Sequence, residues 1–276
     1  MTARLPQALL LAILSSMISP GLPAQSQVPA PPQPTIPVTE VQAAPVEPPS
    51  PTATAAELEM KADELRQRKL LLDAVDYYKA ALKKKPANPA AIYNKMGVAQ
   101  LQLSRLDDAR KSFDHAIHAN RKFAEAYNNL GVVYQFQKKY GKAEKEYKRA
   151  LALKEDSASF HSNLGTAYFA HKKFDLAIAE YNRALQLDPE VFERRSQTGI
   201  AAQMSSPEDR AHYSYVLARM YAKTGDLDRS LTYLRKAMED GYKGIDDVYK
   251  DEEFATLRKD PRFAELMAAR PVAIPQ

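Results

Sequence analysis

The chain has 276 residues, 39 Lys and Arg against 34 Asp and Glu, no cysteine and 19 prolines. A net charge of +5 with both signs interspersed describes a soluble surface and no nucleic-acid footprint. The lack of cysteine excludes a disulfide framework, a cysteine-ligated zinc or iron–sulfur site, a thiol nucleophile and a lipidated N-terminal cysteine.

Twelve of the prolines fall in the first 51 residues, and the first 54 carry only Arg4, Glu40 and Glu47 as charged groups. Arg4 precedes an apolar run from Ala8 to Ile18. As a helix this run spans roughly 16 Å, about half of a bilayer's hydrocarbon core. It therefore suits a secretory signal peptide better than a membrane span. Pro20 and Gly21 end it, and Leu22-Pro23-Ala24 is the expected cleavage site, which sets the signal at 1–24. Export to a periplasmic or extracellular location is the expectation. Anchoring to a membrane through an uncleaved signal is the alternative. Residues 25–54 hold nine prolines and no aromatic residue. They have too little apolar area to offset the entropy of ordering and are expected to form a disordered, extended linker.

Beyond residue 54 a period governs the sequence. Gly97, Gly131, Gly165 and Gly199 are each 34 residues apart. Leu130 and Leu164 precede two of them, and Tyr134 and Tyr168 follow three residues later. Further on the pattern continues with Ala109, Ala143 and Ala177, then Phe113, Tyr147 and Tyr181, then Ala116, Ala150 and Ala184. Such a period signals a solenoid, in which each unit buries its apolar face against its neighbours. Apolar residues at three- and four-residue spacing predict two antiparallel helices per unit and an all-α fold. Glycine and alanine fall where helix axes approach, and the aromatics fill the remaining gaps. Lys138-Lys139 and Lys172-Lys173 fall at the end of the first helix, where cations suit the helix dipole. Pro189 and Pro86 stand where the second helix stops.

The pattern of Leu-Gly, Tyr, Ala, Phe or Tyr, Ala and Pro over 34 positions resembles the tetratricopeptide repeat family. The resemblance implies a right-handed superhelical solenoid of helix pairs. Repeats are expected at 90–123, 124–157 and 158–191, with a degenerate one at 55–89, where Ala74, Tyr78, Ala81 and Pro86 are in phase but Ala62 replaces the glycine. A fifth is expected at 211–243. Residues 192–210 interrupt the register; an irregular connector is preferred over an in-phase unit built on Gly199, because Ala211 to Ala237 reads as a complete unit. Pro207, after two serines, is expected to open its first helix. Residues 244–270 carry two short helical patterns, with Phe254, Leu257, Phe263 and Leu266 to bury, and read as the cap that a solenoid needs. Residues 271–276 form a tail.

No catalytic constellation is present. Gly-x-Ser-x-Gly and His-Glu-x-x-His are both missing, and Gly141-Lys142 lacks the rest of a phosphate loop. His115 and His118 lack further converging ligands, and Asp226 and Asp228 lack the glycine and glutamate of a calcium loop. No metal, cofactor or enzymatic activity is expected, and the expected partners are other proteins and not nucleic acid, with no stable membrane span if the signal is cleaved. A hydrolase with an unrecognised site remains the remote rival, beside a membrane-anchored envelope assembly factor.

In the resembled family the first helices line a groove that holds an extended peptide or a partner helix. By position that groove comprises Asn94, Lys95, Val98 and Gln102, then Asn128, Asn129, Val132, Gln135 and Phe136. Ser162, Asn163, Thr166 and Phe169 follow, and then Tyr215 and Arg219. Amides both donate and accept, which matches the backbone of an extended ligand without fixing its sequence. The clamp with which some family members grip a C-terminal carboxylate is not reproduced: neither Glu59, Asp63, Lys95, Glu125 and Asn129 in one register nor Asn94, Val98, Asn129, Ser159 and Asn163 in the next supplies its cations.

Overall fold

A computed structural model describes residues 46–196 and 206–271. The expected signal at 1–24, the linker up to residue 45, Gly199 and the tail from 272 onward lie outside the described residues. Four helix pairs follow one another: α1 (Ala55–Gln67) with α2 (Leu71–Lys83), α3 (Pro89–Gln102) with α4 (Leu106–Ala119), α5 (Ala124–Phe136) with α6 (Tyr140–Leu153), and α7 (Ala158–Ala170) with α8 (Phe174–Leu187). A short α9 (Val191–Ser196) precedes a fifth pair, α10 (Pro207–Thr224) and α11 (Leu227–Glu239). Three 3-10 turns (Ile245–Tyr249, Glu252–Phe254, Leu257–Lys259) lead to α12 (Pro261–Ala269). No strand occurs among the described residues. The first helices α3, α5 and α7 touch one another across repeats as well as touching their own partners.

The helices begin where the sequence supplies an acceptor for orphan N–H groups. Thr54 and Glu57 form a reciprocal capping box, with Thr54 N donating to Glu57 Oε2 at 2.8 Å and Glu57 N to Thr54 Oγ1 at 3.3 Å. Asn88 before Pro89, Ser206 before Pro207 and Asp260 before Pro261 combine a side-chain cap with proline in the first turn. The ends are made by a left-handed residue just past the first helix: Lys69 (φ 65°), Ser104 (59°), Lys138 (57°), Lys172 (62°) and Gly225 (84°). The next N–H then reaches back to a carbonyl inside the helix, as in Lys139 N to Tyr134 O at 2.8 Å and Lys173 N to Tyr168 O at 2.9 Å. The twin lysines thus lie beyond the helix end, and the first of each pair makes the turn.

Within each pair the glycine gives way to an aromatic ring. A Cβ on Gly97 would stand 2.6 Å from Phe113 Cε1, one on Gly131 2.7 Å from Tyr147 Cε1, and one on Gly165 2.6 Å from Tyr181 Cδ1. Phe113, Tyr147 and Tyr181 are fully buried, with Ala109, Ala116, Ala143, Ala150, Ala177 and Ala184 around them. Leu130, Leu164 and Tyr168 are buried as well, Tyr134 partly so, and Pro189 is exposed after the end of α8.

Three segments differ from the sequence expectation. Residues 46–53 pack on the first pair: Val46 and Ala53 sit against its core, Tyr77 Oη donates to Glu47 O at 2.9 Å, and Lys84 Nζ donates to Pro51 O at 2.6 Å. Residues 46–53, expected as part of the linker, thus belong to the packed body, because an extended proline-rich segment can offer carbonyls and small apolar groups to a helix face without forming a helix. The expected irregular connector opens as α9, which buries Val191 and Phe192 and sets Phe192 edge-on to Tyr181 at 5.4 Å. The first capping pattern folds as 3-10 turns in place of one helix, with Phe254, Leu257, Phe263 and Leu266 all buried.

Candidate functional site

The expected groove residues all lie on the first helices of their pairs, and the structure sorts them into three groups. Over α3 and α5 the row is accessible except at Asn128 and Gln135, which are buried. Asn94 is half-buried, Gln102 is exposed, Val98 and Val132 are partly covered, and Phe136 leaves 47% of its surface in solvent. The amides there pair with each other. Asn163 Nδ2 donates to Asn128 Oδ1 (2.7 Å), Asn128 Nδ2 to Asn129 Oδ1 (3.2 Å), and Asn129 Nδ2 to Asn94 Oδ1 (2.9 Å). One directed line of amides therefore runs across α7, α5 and α3. The 34-residue phase of Asn129 and Asn163 signals that they share a surface. That Asn128, the adjacent residue, would mediate between them is legible only once the helices are placed.

A second group is committed to charge pairing. Lys95 Nζ donates to Glu59 Oε1 at 2.7 Å and Asp63 Oδ2 at 2.6 Å, tying α3 to α1. Desolvation opposes its charge, but the hydrogen-bonded carboxylates of Asp63 and Glu59 outweigh it and raise the Lys95 pKa. Asp63 also accepts from Tyr78 Oη at 2.5 Å. Arg219 Nη2 donates to Glu253 Oε1 at 2.9 Å and is held in the same way by the cap.

The third group corrects the expectation. Gln135 is buried and accepts from Tyr147 Oη at 3.0 Å inside its own helix pair. Ser162, Thr166 and Phe169 on α7 are buried, as is Tyr215 on α10. α9 contacts α7, and the Phe169 ring meets Phe174 (5.1 Å), His212 (5.2 Å) and Tyr213 (5.9 Å). Thr166 Oγ1 donates to Ser162 O at 2.8 Å. Tyr215 Oη donates to Asp251 Oδ2 at 2.8 Å, and its ring stacks on Tyr242 at 4.5 Å. Phe169 is thus covered by α10 and Tyr215 by the residues that follow α11, while Asn163 and Arg219 stay partly exposed. Sequence phase gives the position of a side chain on its helix and says nothing of a later segment folding over it.

Among the described residues no group of three or more His, Cys, Asp or Glu converges as a metal site. His115 stacks on Tyr93 at 5.0 Å, Asp226 caps α11 by accepting from Arg229 N at 3.0 Å, and Asp228 pairs with Arg262 at 2.6 Å.

Helix pairs stacked in chain order, with the first helices in mutual contact, define a helical-repeat protein. Two family models, both described as tetratricopeptide repeat, match the chain, one over residues 88–156 and again over 122–190, the other over 211–239. The chain belongs to the tetratricopeptide repeat family. Solved structures similar to it include residues 41-end of MamA from Desulfovibrio magneticus, at 20% identity, covering 67% of this chain and 93% of that one with a TM-score of 0.48. A protein described as a thermophilic tetratricopeptide repeat protein of Thermus thermophilus, TTC0263, shows 19% identity over 78% of this chain and 99% of that one, with a TM-score of 0.47. YrrB, described as a tetratricopeptide repeat protein with an unusual peptide-binding site, shows 19% identity over 74% and 91%, with a TM-score of 0.45. No curated protein matches the chain.

Proposed function

We propose that the chain is a non-catalytic scaffold for other proteins and that its first-helix face takes an extended peptide or a partner helix across α3 and α5. The observation that carries this reading is the amide line from Asn163 to Asn94. It leaves Asn94 Nδ2 without an acceptor among the described residues, with exposed Gln102 and Phe136 on the same two helices. Amide groups already oriented by their neighbours offer donors and acceptors to a main chain at little ordering cost. Phe136 adds an aromatic anchor of the kind that dominates binding energy at interfaces.

The test is cross-linked capture from the native host, followed by binding of the purified partner to Asn94→Ala/Gln102→Ala/Phe136→Ala and to Lys145→Ala as a second-helix control. Selective loss in the triple variant, with unchanged melting, is the expected result. Equal binding by all three proteins would place the partner elsewhere.

The apolar run at 8–18 supports export, with the chain released after residue 24. No helix among the described residues is long and apolar enough to cross a membrane. N-terminal sequencing of the exported protein separates a start near Gln25 from an uncleaved signal that anchors an envelope assembly factor.

A further inference from the structure

The face carried by the second helices holds two open grooves one repeat apart. The first, about 460 Å³, runs between α2 and α4, with Leu82, Tyr93 and Met96 among its lining. The second, about 740 Å³, runs between α4 and α6, with Ile117, Tyr127, Leu130 and Leu153. Tyr93 and Tyr127, like Met96 and Leu130, are 34 residues apart, so the repeat builds the same groove twice.

Their charges are unevenly satisfied. Every carboxylate on the walls has an arginine: Asp108 pairs with Arg105 at 2.7 Å, Asp114 with Arg110 at 3.0 Å, and Glu146 with Arg149 at 3.0 Å. Lys83 and Lys111 on the first groove and Arg121 on the second have no ion-pair partner among the described residues. The first groove is mostly apolar and the second mixes apolar side chains with polar ones in about equal measure, and each carries an unpaired cation at its rim. This matches the wider distribution, since residues 55–157 contain 21 Lys and Arg against 14 Asp and Glu, while 158–270 contain 17 against 18.

At the corresponding place one repeat further on, polar side chains cross between the helices. His161 replaces the tyrosine, with Nδ1 at 2.6 Å from Glu180 Oε2 and Nε2 at 2.9 Å from Glu155 O. Lys148 Nζ lies 5.4 Å from the Tyr168 ring centroid.

We propose that these two grooves form a second docking surface for an acidic protein segment with bulky apolar side chains. Apolar residues of the segment enter the two grooves, and its carboxylates meet Lys83, Lys111 and Arg121. Complementary charge at a rim steers and orients a partner, while the apolar floor supplies the desolvated contact. This surface is independent of the first-helix face.

The experiment is fluorescence polarisation with a labelled peptide alternating glutamate with leucine and phenylalanine. Its comparators are the same peptide with lysine for glutamate and a polyglutamate of equal length. Wild type is expected to bind the first peptide alone, more weakly as salt rises. Lys83→Glu/Lys111→Glu/Arg121→Glu should weaken it at least about tenfold and Leu153→Gln a few-fold. Asn94→Ala/Phe136→Ala should bind like wild type. If the reversal variant fails to fold, Lys83→Gln/Lys111→Gln/Arg121→Gln replaces it, with a smaller loss expected. The proposal is overturned by no binding to wild type, by equal binding of polyglutamate, by loss in the Asn94/Phe136 variant, or by displacement with phosphatidylglycerol vesicles.

Discussion

Asn163 Nδ2 donates to Asn128 Oδ1 at 2.7 Å, across 35 residues of chain and from one repeat to the next. Asn128 is buried, so this bond satisfies an amide oxygen that water does not readily reach. The amides expected to serve a ligand therefore also hold the array together, and what they offer a partner is their remaining capacity.

A double-mutant cycle on this pair measures that structural share. Asn163→Ala strands the buried Asn128 oxygen and should cost about 1–3 kcal/mol. Asn128→Ala/Asn163→Ala should cost less than the sum of the single changes, with a coupling of at least about 0.5 kcal/mol in urea unfolding. Additive losses would mean that the bond contributes nothing to stability.

Gly131→Ala tests the close approach inside the third helix pair. The new methyl would stand 2.7 Å from Tyr147 Cε1, and that ring is fully buried with its hydroxyl tied to Gln135. The ring has no free end to swing away, so overpacking should cost about 1–3 kcal/mol. Gly131→Ala/Tyr147→Leu should recover part of the loss. A single variant that melts like wild type would show that the helices separate freely.

The repeating interior was legible because glycine, alanine and aromatic residues recur at fixed phase, and one repeat predicts the next. Gly97 with Phe113 and Gly165 with Tyr181 follow from that arithmetic alone. Phe169 and Tyr215 were not legible as buried, because what covers them comes from α10 and the capping turns, which lie off the period. Lys95 shares its helix face with Asn94, yet Glu59 and Asp63 on α1 neutralise it, and only the stacking of two repeats brings the three together. The left-handed turn at Lys138 was hidden for a different reason. Glycine is the residue that usually announces such a φ, and lysine occupies it here at a cost of about 1–2 kcal/mol.

The segment before α1 gives a third prediction. A chain beginning at residue 46 and one beginning at residue 54 differ only by the stretch that supplies Glu47 O to Tyr77 and Pro51 O to Lys84, together with the packing of Val46 and Ala53. The shorter chain should melt several degrees lower. Tyr77→Phe in the longer chain should account for about 0.5–1.5 kcal/mol of that difference, the usual net worth of one hydrogen bond. Identical melting of the two chains would return the domain start to α1.

The joint between the fourth and fifth pairs should respond to acid through His212. Its ring lies 4.7 Å from Phe174, 5.2 Å from Phe169 and, nearly parallel, 5.6 Å from Tyr242. Burial first, and then the Lys172 charge, lower its pKa from the ordinary 6.5; Asp209 opposes the shift and Arg219 adds to it. The folded state thus holds a proton less readily than the unfolded chain. The stability linked to this group is complete above about pH 6.5 and is lost as pH falls through the lowered folded pKa, at no more than about 1.4 kcal/mol per pH unit. His212→Phe keeps an aromatic ring in the cluster and removes the titration. Urea unfolding of wild type and variant at stepped pH from neutral to acid should show the wild type losing stability faster across this window, because the other four histidines are common to both proteins. Parallel pH profiles would show that protonation of His212 does not load the joint.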